Sequence, residues 1–343
     1  MALERPIIIA TRGSALALAQ ANSIAEQCRK IFPCLRFELK IIKTTGDKIQ
    51  TASLAKVGEN LPKGLFTKEL EVALVKGRAD LAVHSLKDLP TDLPAGLMLA
   101  ATPKRADVRD VLIYRDGNFF ENLKLKTQNS ELKDWIPGQS SLKGFKPHAT
   151  LKDLPGKTII GTSSTRRKMS LLAARPDLTI AMIRGNVTTR LQKVAERDEF
   201  DAAVLARAGL TRLNFEIKPD GKLVGDAVSD GLLATVLDLE VMLPCVGQGA
   251  IGIEIRAHDE RIAKICERLN HFNTFHCVTA ERAFLRAMGG GCQSPVGAYA
   301  EIVDDKIQMR AISFVNETTR RGEARRPMAE ASALGEALAV QLK

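Results

Sequence analysis

An α/β fold is what this sequence predicts: two units in which strands and helices alternate, followed by a small α+β domain. Three observations carry that reading. Short β-rich apolar runs alternate with helical stretches from residue 7 onward, and the same alternation resumes near residue 158. The final stretch from residue 269 changes character, to two helices and an antiparallel hairpin.

In the first unit, Ile7–Ala10 reads as a strand, Ala15–Ile31 as a helix and Phe37–Ile42 as a second strand. A helix over Phe66–Lys76 and a strand around Leu81–His84 follow. Such alternation implies a largely parallel sheet with helices on its faces, and ligands gather at the carboxyl ends of its strands. Arg12, Ser14, Thr44, Thr45 and Lys87 all fall there.

Residues 114–150 break the pattern. They are polar and punctuated by Gly and Pro, which predicts a long surface excursion. Alternation returns through Thr158–Ile160, Leu171–Ala174, Thr179–Ile183, Val187–Ala195 and Ala202–Leu205. The Gly/Asp-rich KPDGKLVGD suits a hairpin, and PCVGQGAIGIEIR suits a turn entering a strand. Helices are expected at Asp259–Leu269, Thr274–Met288 and Met328–Leu342, with a hairpin of Val296–Val303 and Lys306–Phe314 around Asp304 and Asp305.

Composition narrows the partners. At 343 residues and net charge +10, the chain favours an acidic ligand: nucleic acid, an anionic membrane or a small polyanion. One Trp and two Tyr supply few stacking platforms for single-stranded nucleic acid. The N-terminal apolar run is too short for a signal peptide and no stretch suits a membrane span, so a cytoplasmic protein with reduced thiols is expected. Six scattered cysteines and five histidines show no metal-binding spacing.

Four constellations carry chemistry. TIIGTSSTRRKMSLL, Thr158 to Leu172, ends an apolar run in small hydroxyl residues and opens a helix with two arginines. IIIATRGSALAL and MIRGNVTTRL repeat that grammar, so three helix starts present amides, hydroxyls and guanidiniums to anions. The arginine set is Arg12, Arg166, Arg167, Arg184, Arg190 and Arg212, flanked by Thr162, Ser163, Ser164 and Gly185. Paired Arg hydrogen bonds suit carboxylates or phosphates, and the competing reading is a set of solvated surface arginines. AVHSLKDLP places Lys87 and Asp88 side by side after a strand. That carboxylate either moves protons or merely caps a turn, while His84 reads as a packed strand residue. AMGGGCQSPVGAYA sets Cys292 behind three glycines, as an accessible thiol or an ordinary loop cysteine. The Gly-Gln-Gly turn at 247–249 matches no phosphate-loop fingerprint and reads as a crossover between domains.

Taken in order, nine segments resemble the porphobilinogen deaminase (hydroxymethylbilane synthase) family: ATRGSALALAQ, KTTGDKI, GLFTKELE, AVHSLKDLPT, GTSSTRRKMSL, IRGNVTTRL, DAAVLARAGLTRL, LPCVGQGAIGIEIR and ERAFLRAMGGGCQSPVGAYA. The departures are insertions near 116–148 and 214–235, and Arg207 at a position the family keeps apolar. The resemblance implies a transferase of porphyrin, tetrapyrrole and heme biosynthesis. It joins four porphobilinogen molecules head to tail on a dipyrromethane cofactor, releasing ammonia and the linear tetrapyrrole hydroxymethylbilane. By resemblance the cofactor hangs from Cys292 through a thioether. It is held with Lys87, Asp88, Thr162, Ser164, Arg166, Arg167, Arg184, Gly185 and Arg190. Arg12, Ser14, Phe66, Arg184 and Arg190 are implied to bind substrate, and Asp88 with Lys87 to act in catalysis. A carboxylate near the ring nitrogens would stabilise electron-poor pyrroles.

The resemblance also implies two α/β domains of the periplasmic-binding-protein type around a cleft, with a small C-terminal α+β domain carrying the cofactor cysteine. The expected division is 1–103 with 244–268, then 104–243, then 269–343. A monomer that binds neither membrane nor nucleic acid is implied. The competing function is a non-enzymatic cytoplasmic anion-binding protein of the same fold.

Overall fold

The computed structural model describes residues 5–46, 64–119, 144–196, 199–291 and 293–343. In chain order the first elements are β1 (Ile7–Thr11), α1 (Ala15–Ile31), β2 (Phe37–Ile41), α2 (Lys68–Val75), β3 (Leu81–Ser85) and β4 (Leu97–Ala101). Next come β5 (Asp110–Arg115), β6 (Ile159–Gly161), α3 (Thr165–Ala174), β7 (Thr179–Ala181), α4 (Val187–Glu196), β8 (Ala202–Ala206) and α5 (Arg207–Arg212). The small hairpin β9 (Glu216–Ile217) and β10 (Leu223–Val224) precedes β11 (Leu232–Val236). The chain ends with β12 (Ile251–Arg256), α6 (Glu260–Leu269), α7 (Phe272–Ala287), β13 (Val296–Val303), β14 (Lys306–Ser313), β15 (Arg320–Pro327) and α8 (Ala331–Leu342).

The chain divides into two compact units, Met1–Asp107 with Cys245–Lys343, and Val108–Pro244. The first contains a sheet of order β2-β1-β3-β12-β4. Period-two alternation in β1 settles its two faces: Ile7 and Ile9 pack with Ile24 and Cys28 of α1 and Ile262 and Ile265 of α6, while Ile8 and Ala10 pack with Leu70 and Leu74 of α2. The second unit repeats the plan as β11-β5-β8-β6-β7. Its central strands Val111, Ile113 and Leu205 meet Leu191 and Val194 of α4, and Leu112 and Val204 meet Leu171 of α3.

Each sheet is mixed where a largely parallel one was expected. Three strands run parallel in each, β2-β1-β3 and β7-β6-β8. The other pairings are antiparallel, through β12 with β3 and β4, and through β5 with β8 and β11. The cause is the double crossover: β5 enters the second unit and β12 re-enters the first, each inserted against the run of the βα repeats. Residues 251–269 thus join the first sheet and its core.

The C-terminal meander β13-β14-β15 packs under α7 and α8 within the first unit, around Phe284, Ile307, Met309, Leu334 and Leu338. Asp304 and Asp305 take φ of 44° and 56°, the left-handed pair that a two-residue hairpin turn requires. Strand β15 was not foreseen. Its inward positions are the small Gly322 and Ala324, which pack on α8 and the meander core, so RRGEARRP shows no apolar alternation.

The expected excursion at 114–150 is buried at both ends. Tyr114, the next-to-last residue of β5, is 0% exposed, its ring meets Phe145 edge-on at 5.8 Å, and its hydroxyl accepts from the Ala149 amide at 2.9 Å. Residues 120–143 lie outside the described residues. Among the described residues no helix is long and apolar enough to cross a membrane.

Candidate active site

In the first unit the site begins where β1 ends. Arg12 follows that strand and lays its guanidinium over the Phe66 ring, 4.2 Å from the centroid. Ser14 caps α1, its hydroxyl accepting from the Ala17 amide at 3.4 Å. Glu69 of α2 accepts from the Thr45 amide at 2.9 Å and its hydroxyl at 2.5 Å, which fastens the loop after β2 to the helix behind Phe66. Thr44 is fully buried in that loop. Glu69 was not foreseen, because nothing in KTTGDKI names its partner.

Lys87 and Asp88 occupy a single 3₁₀ turn, Leu86–Asp88, directly after β3. Both are half-buried. The turn is pinned at Leu86, whose amide donates to the Ala250 carbonyl at 3.0 Å. The Asp88 carboxylate has no hydrogen-bond or ion-pair partner among the described residues. It is therefore no helix or turn cap, the competing reading of its spacing. His84 is 5% exposed and meets Glu254 of β12 at 3.0 Å, as a packed strand residue. Close by, burial raises the Glu71 carboxyl above its ordinary value and Glu254 adds to that, while Thr67 and His84 oppose it.

Cys292 lies outside the described residues. Its approach is described: α7 ends at Ala287, Gly289 takes φ of 71°, and the Gly291 amide donates to the Ser294 hydroxyl at 2.8 Å.

In the second unit the hydroxyl turn is built as its residue types demand. The Ser164 amide donates to the Thr162 hydroxyl at 3.2 Å, and the Ser164 hydroxyl caps α3 by accepting from the Arg167 amide at 3.4 Å. Ser163 donates to the Ile183 carbonyl, tying this turn to the one after β7.

The two arginines that open α3 are not on the surface. Arg166 is 2% exposed and Arg167 6%. Both grip Asp110, the first residue of β5. Arg166 Nη2 reaches Oδ2 at 2.8 Å, and Arg167 Nη2 and Nε reach Oδ1 at 2.7 and 3.2 Å. The Leu243 carbonyl accepts from Arg166 at 2.7 Å and the Val204 carbonyl from Arg167 at 2.9 Å. The residue that organises the pair, Asp110, was missed. Its only signal was an acidic side chain opening the apolar run DVLIY.

The remaining arginines sit nearby in sequence but in looser settings. Arg184 and Arg190 are half-buried, and Arg190 Nε donates to the Gly185 carbonyl at 2.8 Å, where Gly185 takes φ of 118°. Burial pulls the Arg212 guanidinium down to about 10. The structure thus brings Arg12, Phe66 and Ser14 to one sheet end, and Thr162, Ser163, Ser164, Arg166 and Arg167 to one helix start.

These residues suit a polycarboxylate cofactor. Arg166 Nε is buried without a hydrogen-bond partner among the described residues, beside a helix N-terminus.

The family model described as porphobilinogen deaminase, dipyromethane cofactor binding domain, matches residues 7–264, and that of the C-terminal domain matches 275–343. The chain belongs to the porphobilinogen deaminase family. Porphobilinogen deaminase of Chlorobium phaeobacteroides (strain BS1) is 43% identical over 90% of this chain and 83% of its own. That of Carboxydothermus hydrogenoformans is 39% identical over 99% and 94%, and that of Clostridioides difficile 40% over 89% and 86%. As a family member the protein is a transferase of tetrapyrrole biosynthesis, with a domain that binds dipyrromethane. Every deaminase segment quoted from the sequence lies inside the two matched ranges, so the insertions interrupt none of them.

Proposed function

We propose that Asp88 is the catalytic carboxylate and that the basic turns hold the acetates and propionates of porphobilinogen, cofactor and growing chain. The observation that carries this is the half-buried Asp88 carboxylate without a hydrogen-bond or ion-pair partner among the described residues, set at the carboxyl end of β3. A charge left unpaired costs stability, and its use is in catalysis.

In this reading Cys292 carries dipyrromethane through a thioether, and the cofactor supplies the primer on which four porphobilinogen units are joined. Asp88 holds positive charge on the reacting pyrrole nitrogens and relays their protons. Lys87 assists with a carboxylate. Arg12 and Ser14 bind substrate carboxylates at the start of α1, with Phe66 presenting a flat apolar face beside Arg12. Thr162, Ser164, Arg166, Arg167, Arg184, Gly185 and Arg190 hold cofactor and chain carboxylates at the starts of α3 and α4. Asp110 keeps the Arg166 and Arg167 guanidiniums in a fixed attitude, so little order has to be gained on binding. The protein acts as a cytoplasmic monomer with neither membrane nor nucleic-acid partners.

Intact-mass measurement tests this. The purified protein is expected to carry a covalent excess of two pyrrole units on the peptide containing Cys292, and to give the Ehrlich colour reaction. An active protein with unmodified Cys292 would sink the proposal.

A further inference from the structure

Helix α7 touches the Asp88 turn before it delivers the loop of Cys292. Arg282 projects from it, 7% exposed, into the chain that follows Asp88. Its Nη1 donates to the Leu89 carbonyl at 3.1 Å, and its Nη2 to the carbonyls of Pro90 at 2.6 Å and Thr91 at 3.3 Å. One turn on, Arg286 donates to the Thr91 carbonyl at 2.9 Å and pairs with Asp92 at 2.8 Å. Four consecutive residues after the catalytic carboxylate are thereby bound to one helix face.

A segment packed against the turn is held from the same helix. Glu281 accepts from the Gly247 amide at 2.8 Å and the Ala300 amide at 2.9 Å, and pairs with Arg105 at 2.6 and 2.9 Å. Gly247 lies so close to the turn that a Cβ there would stand 3.1 Å from Leu86 Cγ and 3.2 Å from the Lys87 nitrogen. Leu86 and Leu89 share a buried cluster with Ala250 and with Val278 of α7. Neighbouring residues 281 and 282 therefore hold the segment after the 3₁₀ turn and the Gly247 turn packed on it, and position 292 lies only five residues beyond the end of α7 at Ala287.

We propose that Arg282 is a positioning residue: it holds the turn that carries the Asp88 carboxylate by tying residues 89–91 to α7. This rests on the proposed catalytic role of Asp88. A buried guanidinium that binds three successive carbonyls fixes both the height and the tilt of a short turn. Displacements of about 1 Å cost about a hundredfold in rate when geometry is demanding.

The test is a double-mutant cycle on loaded holoenzyme, with cofactor content checked by intact mass. Arg282→Met and Arg282→Lys are each made in the wild-type and Asp88→Asn backgrounds. In the wild-type background Arg282→Met is expected to lower kcat about tenfold or more with KM within about twofold, and Arg282→Lys to restore part of the loss. In the Asp88→Asn background the same changes are expected to cost less than about twofold, because Arg282 works through that carboxylate. An equal loss in both backgrounds, or an unchanged kcat in folded and loaded Arg282→Met, would overturn the proposal. If Arg282→Met does not fold as holoenzyme, the same comparison is read from Arg282→Lys, whose single ammonium cannot span three carbonyls. Near-normal turnover of Asp88→Asn alone would instead remove the catalytic reading of Asp88, an outcome separable from the Arg282 factors.

Discussion

Asp110→Asn is the sharpest probe of the buried arginine pair. The side chain keeps its shape and loses its charge. Asp110 is fully buried and accepts from Arg166 through one oxygen and from Arg167 through the other. An amide oxygen turned to Arg167 keeps those two bonds and sets an NH₂ group against Arg166 Nη2. Two guanidiniums then stay buried without a countercharge, each retaining a carbonyl partner from Leu243 or Val204. Removing one partner of a buried ion pair costs about 3–5 kcal/mol. For a unit of this size, each kcal/mol moves Tm by roughly 2–4 °C, so a fall of about 6–20 °C is expected. Calorimetry of the holoenzyme measures the unfolding transition, and urea titration checks that the midpoint moves without a change in slope. Intact mass reads the fraction carrying cofactor, which is expected to drop as the guanidiniums lose their fixed attitude. A loss below about 1 kcal/mol would refute the reasoning, since the pair would then be satisfied by other means.

Other perturbations test the rest of the site. Asp88→Ala is expected to fold and retain cofactor while losing nearly all turnover, and near-normal turnover would refute its catalytic role. Gly46→Ala would drive a methyl into the Phe66 ring, so Phe66 must leave Arg12. Overpacking of this kind costs about 1–3 kcal/mol, and KM for porphobilinogen is expected to rise several-fold; an unchanged KM would remove Phe66 from substrate binding. Glu71→Gln tests the buried carboxyl whose folded pKa is raised by burial. A raised folded pKa means the native state holds the proton more tightly, so the wild type loses stability as pH climbs from below the ordinary value of 4.5 through the folded one. Gln has no such loss. Its advantage in urea denaturation is expected to be absent near pH 4 and to grow toward pH 8, and a pH-independent difference would contradict this.

Much of the fold was legible because local rules and tertiary packing agree. Helix α1 spans Ala15–Ile31 as periodicity and its Ser14 cap required. Both hairpins formed where Asp-Gly and Asp-Asp turns stand. Strand β15 escaped because its inward residues are Gly322 and Ala324, and β4 because LMLAA lacks β-branched residues. The crossing strands β5 and β12 are plain apolar runs. Their antiparallel direction depends on where the chain re-enters a sheet, which no local pattern records.

The site divides along the same line. The sequence by itself determined the chemical inventory: basic hydroxyl turns at helix starts, a Lys-Asp pair after a strand and a glycine-flanked cysteine, in an order that belongs to one family. Residue type and spacing along the chain suffice for that, since capping and turn formation act within a few residues. Only the tertiary structure decided how those groups are spent. Arg166 and Arg167 are indistinguishable in TRRK from solvated arginines, yet a carboxylate 56 residues upstream of the first takes both into the core. Asp88 looks like any turn aspartate, yet nothing described pairs with it, and Arg282, 193 residues beyond Leu89, holds the turn that carries it. Charge pairing and carbonyl satisfaction are contacts in space, set by which segments the sheets bring together, and the sequence order of the partners does not encode them.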